Sequence, residues 1–139
     1  DNFLNKCLTF GAIACSLASC DPGGSGTQIL KNSTSEDLIF ERISLLDTMV
    51  IDSFKISKGL DTTVFSVSKL GPVSEIGCSK VFEAFNSLPD SVIIMTISGK
   101  KMKKIWSDDD NWESKHTGGT RFKMSTSQTC TFELTDDDF

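Results

Sequence analysis

From Gln28 onward, apolar side chains recur at every second position in short runs, and clusters of Ser, Thr, Asp, Gly and Pro separate the runs. Such alternation marks half-buried strands, because successive strand side chains point to opposite faces. Gln28 to Asn32 is the first candidate strand, and Leu38 to Leu45 the second, with Ile39, Ile43 and Leu45 sharing a face and Glu41 unsuited to full burial. Thr48 to Ile56 places Val50, Phe54 and Ile56 on one side, and Thr62 to Lys69 turns Phe65 and Val67 inward and Ser66 and Ser68 outward. Val92 to Ile97 is apolar on both faces, which predicts a central strand, and Ser98-Gly99 offers the positive φ of a tight turn. The hairpin partner is then Lys101 to Trp106, whose lysines, with Lys100 beside them, suit an exposed edge strand. Those lysines can also be read as a small basic patch for an acidic glycan or a lipid headgroup.

Ser107 to Gly119 reads as a long polar loop, and the chain closes with Arg121 to Ser125 and Thr129 to Leu134, where Cys130, Phe132 and Leu134 point inward. Helical spacing occurs in one place, Ser79 to Leu88, with Val81, Phe82, Phe85 and Leu88 on one stripe, Ser79 as cap and Pro89 as stop. Seven to eight short strands and one short helix predict an all-β protein, a β-sandwich.

The start of the chain is different in kind. Lys6 is followed by an uncharged run, Cys7 to Ser19, of signal-peptide length and too short to span a bilayer. The run ends Leu17-Ala18-Ser19-Cys20, which resembles a bacterial lipobox. The resemblance implies cleavage between Ser19 and Cys20 and a diacylglycerol thioether on Cys20, with acyl chains holding the protein on a membrane. The alternative is a buried helix over 7–19 with Cys20 as a core thiol. The organisation expected is a lipoprotein signal peptide over 1–19, the lipidated Cys20 and a flexible linker over 20–27, and a β-sandwich domain over 28–139.

A lipobox, a Gly/Ser-rich stretch, a strand-rich body and the ending Thr131-Phe132-Glu133-Leu134-Thr135-Asp136-Asp137-Asp138-Phe139 together resemble small lipoproteins of Bacteroidetes. That resemblance implies an immunoglobulin-like or transthyretin-like sandwich anchored by lipid to the outer membrane, on its periplasmic or cell-surface face. It carries over no catalytic residue.

Charge and cysteines narrow the function. The formal net charge of −5 argues against nucleic acid, whose binding needs a cationic surface. After processing at Cys20 roughly 120 residues remain, enough for one domain with a core. The cysteines left in that domain besides the lipidated one are Cys78 and Cys130, which either form a disulfide in an oxidising compartment or stay as buried thiols.

Candidate chemistry is thin. His116 is the only histidine, and no serine or cysteine stands in a nucleophile motif, so the expectation is a protein that is not an enzyme, with no cofactor and no metal. The loop acids Asp108, Asp109 and Asp110 lack the spacing of an EF-hand. Asp108, Asp110, Trp112 and His116 form the candidate binding loop, because an exposed tryptophan beside carboxylates can stack on a sugar. The expected function is a membrane-anchored lipoprotein with a non-enzymatic binding module for a glycan or an envelope protein. The alternative is an inhibitor or immunity-type protective lipoprotein.

Overall fold

The structure, a computed structural model, describes residues 23–70, 75–118 and 126–139. Residues 1–22, and with them the lipobox-like segment and Cys20, lie outside the described residues, as does the candidate strand Arg121 to Ser125. Among the described residues seven strands form two sheets: β1 (Gly23–Asn32), β2 (Leu38–Ser44), β3 (Val50–Ile56), β4 (Asp61–Leu70), β5 (Asp90–Thr96), β6 (Trp112–Gly118) and β7 (Thr126–Leu134). One sheet has the order β4-β1-β7-β6 and the other β3-β2-β5. β1 and β7 run parallel in the middle of the first sheet, and every other pairing is antiparallel. A 3-10 turn, Cys78–Lys80, leads into the short helix α1 (Val81–Asn86). The protein is an all-β sandwich with one short helix.

The inner faces meet in a core of Leu30, Leu38, Phe40, Ile56, Ile94, Phe132 and Leu134, all 1% exposed or less. Burying side chains of this size is the main favourable term in the fold. Cys78 and Cys130 are joined as a disulfide, with Cα atoms 5.6 Å apart, tying the start of the helical segment to β7.

Several sequence expectations are corrected. Gly23 to Gly26 are part of β1 and not a linker, so the folded domain begins before Gln28. A Cβ on Gly26 would collide with the Phe85 ring and Val81, so the missing side chain lets α1 lie flat on β1. In β2 the buried positions are Leu38, Phe40, Arg42 and Ser44, the face opposite the one expected, and Leu45 is exposed. Val50 is exposed as well, although Phe54 and Ile56 of β3 do pack inward. In β4 the register shifts opposite Gln28 and Ile29, leaving Val64 as an extra residue in the ladder. A bulge of this kind switches which alternation faces in, so both Val64 and Phe65 pack on the core.

β5 is an edge strand, and no second strand follows to Trp106. Instead one bridge, Met95 to Lys101, and bonds from Thr96 N to Lys100 O and from Met102 N to Ile94 O cover part of that edge. The chain then departs to carry Trp106 between the sheets, 5.6 Å from Phe40 and 4.9 Å from Phe132 between ring centroids. Ser107 to Gly119 is not a loop throughout, because Trp112 to Gly118 forms the edge strand β6. Ser79 does not cap the helix; its Oγ donates to Asp109 Oδ1 at 3.0 Å.

Candidate functional site

The predicted binding loop does not assemble. Asp108 caps a 3-10 turn by accepting from Asp110 N at 3.0 Å, and both acids are solvent-exposed. Trp112 faces the core at 9% exposure, packs edge-on against Trp106 at 4.5 Å and donates its indole N–H to Trp106 O at 2.8 Å. A sugar-stacking role for Trp112 is therefore overturned: the ring already has an aromatic partner and its N–H is used. His116 lies four positions further along β6, about 13 Å from Trp112 by strand rise, half-buried and opposite Gln128. Among the described residues no three His, Cys, Asp or Glu side chains gather to hold a metal ion.

What the fold does assemble is a hydroxyl-bearing face. On the outside of the four-stranded sheet, pairing sets Ser68, Ser25, Ser127 and Thr117 side by side across all four strands. The next outward row is Ser66, Thr27, Thr129 and Lys115, and Thr131 continues the column on β7 beside Ile29. Rows lie about 6.7 Å apart along a strand and columns about 4.8 Å apart between strands. Thr117 Oγ1 and Ser127 Oγ are 2.6 Å apart, and Thr27 Oγ1 and Ser66 Oγ 3.5 Å apart, so neighbouring hydroxyls are within reach of one another. Threonine is stiff at χ1, so the hydroxyls of Thr27, Thr117, Thr129 and Thr131 are held in place before any ligand arrives. A shallow depression of about 290 Å³ sits at one corner of the face, where Gly23 and Gly24 leave room between Ser25, Ser68, Lys69 and Ser127.

Charges stand at the margin of this face, where Lys31 pairs with Glu133 at 3.1 Å and Lys115 with Glu113 at 3.7 Å. The interior of the face is neutral, able to donate and accept hydrogen bonds but not to hold an ion by charge. Its signal in the sequence is hydroxyl residues at alternate positions, as in Ser25-Gly26-Thr27, Ser66-Val67-Ser68 and Ser127-Gln128-Thr129-Cys130-Thr131. The outward setting of Ser66 and Ser68 is legible from that pattern, but the alignment of four strands into rows is not.

A second cleft, of about 350 Å³, lies beside the disulfide between Glu75, Gly77, Asp109 and Ser114. Asp109 is held there by the N–H and hydroxyl of Ser79, and a Cβ at Gly77 would overlap its carboxylate. Asp109 is thus committed to closing the helical segment onto the Asp108–Asn111 turn. Ser114 Oγ lies 3.4 Å from Glu75 Oε1 across the cleft.

One charged cluster lies inside the sandwich. Arg42 is fully buried on β2, with Nη1 paired to Asp90 and Nη2 donating to Gln28 Oε1 at 2.7 Å. Gln28 in turn donates to Cys78 O at 2.8 Å, and the guanidinium stacks 4.2 Å from the Phe82 ring centroid. Burial pushes the Asp90 carboxyl above its ordinary value, against the opposing pull of Arg42. Burial also lowers the pKa of Arg42, yet a guanidinium stays protonated at any pH a folded protein meets. In an NMR titration, Asp90 is expected to titrate above an ordinary aspartate, and higher still in Arg42→Met. Because the folded value is raised, the stability this group contributes is complete below the unfolded value and is lost as pH rises through the folded one. A midpoint below the unfolded value would refute this balance.

These features define a disulfide-linked β-sandwich with a buried ion pair and a neutral hydroxyl-lined outer face. Compared with known proteins, the chain matches no family model, no curated protein and no solved structure.

Proposed function

We propose that the protein is an exported lipoprotein, held on the outer membrane through Cys20, that acts by binding rather than catalysis and takes a glycan on the outer face of β4-β1-β7-β6. The run Leu17-Ala18-Ser19-Cys20 supports the anchor. The Cys78–Cys130 disulfide supports export, since such bonds persist in oxidising compartments. The observation that carries the ligand class is the in-register placement of Ser25, Ser68, Ser127, Thr117, Thr27 and Thr129. A polyhydroxylated ligand has the same chemistry as that face, with groups that both donate and accept, and it loses no ionic solvation on docking.

The test is a titration of soluble envelope polysaccharides into the protein and into Thr27→Val/Thr129→Val, which keeps β-branched shape and removes two hydroxyls. Affinity is expected to fall by about fivefold or more, because each lost hydrogen bond is worth roughly 0.5–1.5 kcal/mol, while the urea midpoint stays put. Equal binding by both proteins, or binding of an envelope protein in place of any glycan, would contradict the ligand assignment.

A further inference from the structure

The turn between β2 and β3 displays Leu45, Leu46, Met49 and Val50 at 59%, 74%, 66% and 53% exposure. Four large apolar side chains within six residues form a patch, whereas the other exposed large apolar residues described, Leu60, Ile93, Ile97 and Ile105, stand at least four positions apart, as is ordinary for a protein surface. The turn is held in shape by its own bonds: Thr48 N to Ser44 O at 3.0 Å, Leu46 N to Ser44 Oγ at 3.2 Å, and Met49 N to Asp47 Oδ1 at 3.1 Å. Thr48 adopts a positive φ of 59° to close it. A β-branched residue in that conformation is uncommon, so the turn is constrained to one shape that presents the apolar side chains outward.

Its place in the fold is informative. Gln28 of β1 is bonded to Arg42 of β2, and Asn32 of β1 to Ile56 of β3, so the two sheets are matched in height at two levels. The β2–β3 turn lies beyond Arg42, toward the end of the sandwich where β1 begins at Gly23. Cys20 precedes Gly23 by three residues, a length of chain that spans at most about 11 Å. The apolar turn and the point where the chain arrives from Cys20 therefore share one end of the domain.

We propose that the β2–β3 turn inserts Leu45, Leu46, Met49 and Val50 into the interface of the bilayer that carries the Cys20 lipid; this rests on the lipid-anchor reading above. A bilayer is the occupant the placement favours, because an acyl chain on Cys20 holds this end against an apolar phase at all times. Between Ser44 and Ile51 the one charged residue is Asp47, so insertion works through apolar area and needs no anionic headgroup. Two points of attachment fix the tilt of the domain. The hydroxyl-lined face starts at this end, with the Ser25 row nearest the membrane and the row of Thr27 and Thr129 about 6.7 Å further along the strands.

The test places a tryptophan at the turn, Leu46→Trp, or at the opposite end, Lys58→Trp, in the full chain reconstituted into phosphatidylcholine vesicles with brominated acyl chains. After subtraction of the signal from the unsubstituted chain, the Leu46→Trp emission is expected to shift to the blue and fall roughly twofold or more relative to unbrominated vesicles, as for a side chain at the acyl boundary. Lys58→Trp emission is expected to stay unchanged. Equal quenching at both positions, quenching at neither, or failure of the chain to float with the vesicles overturns the insertion. Intact mass of the same sample reads Cys20 acylation separately, so an anchored protein with a dry turn is distinguished from one without an anchor.

Discussion

Arg42→Ala is expected to lower folding stability by about 3–5 kcal/mol, the usual cost of breaking a buried ion pair by removing one partner. The loss comes from three sources in the same place. Asp90, with a side chain only 6% exposed, would lose its counter-charge; Gln28 Oε1 would lose its donor; and the face of Phe82 would lose the guanidinium stacked on it. In a domain whose whole stability is of order 5–15 kcal/mol, a change of this size moves a urea midpoint far enough to read directly. The pair itself is not expected to be worth that much. The triple variant Arg42→Met/Asp90→Ala/Gln28→Leu, which removes every member of the polar cluster, is expected to recover most of the loss, because the desolvation cost of both charges disappears with them. A single variant as stable as the parent would mean that water reaches Asp90 and that Arg42 is not sealed.

The second large effect belongs to the disulfide. Cys78 and Cys130 are separated by 52 residues, and a loop of that size restricts the unfolded chain enough to contribute about 4 kcal/mol in the loop-entropy account. Cys78→Ala/Cys130→Ala is therefore expected to lose about 2–4 kcal/mol in urea unfolding, with the β-sheet circular dichroism of the folded state kept. The same shift on adding reductant to the parent would assign it to the bond and not to the substituted side chains. No shift in either experiment would show that the two thiols are not joined in the folded protein.

The class of fold was legible because most strands keep an alternating pattern and the one helix keeps its stripe. Leu30, Phe132, Leu134 and Cys130 are apolar, alternate cleanly and lie at 0% exposure in the core. β2 was not legible in the same way. Its outward positions Ile39 and Ile43 are as apolar as the inward Leu38 and Phe40, while the inward Arg42 and Ser44 are polar, so local alternation does not single out the buried face. The choice is decided by partners on other strands: Asp90 lies 48 residues away and Gln28 lies 14 residues away, distances no window of one segment contains. Asn32 is buried for a similar reason, its amide donating to Glu36 O and Ile56 O and its oxygen accepting from Thr34.

Trp112 shows the converse error. The segment Asp108-Asp109-Asp110-Asn111-Trp112-Glu113-Ser114-Lys115 looks like a wet loop because an edge strand, with one face in water and its ladder used on one side, needs few apolar residues. The single tryptophan that turns inward supplies the burial, against Trp106 and Phe132. Val92 to Ile97, apolar on both faces, suggests a central strand, yet its edge is capped in part by residues 100–102 and Ile93 is left 39% exposed. The closing acids have a structural use as well: Thr135 and Asp138 cap a 3-10 turn reciprocally, and Asp136 accepts from the N–H and hydroxyl of Ser35, which hold its carboxyl below the ordinary value. The hydroxyl face was invisible as a unit, because rows across a sheet are created by register and register is not written in any one strand.

Intact-mass measurement of the protein extracted from its native membrane bears most directly on the claim from which the anchor, the export and the membrane-facing turn all follow. The expected species begins at Cys20, carries the added mass of a diacylglycerol thioether with or without an amide-linked acyl chain, and is two hydrogens lighter than the sum of its reduced residues. A species that retains residues 1–19, or one that begins at Cys20 without added lipid, would contradict the account.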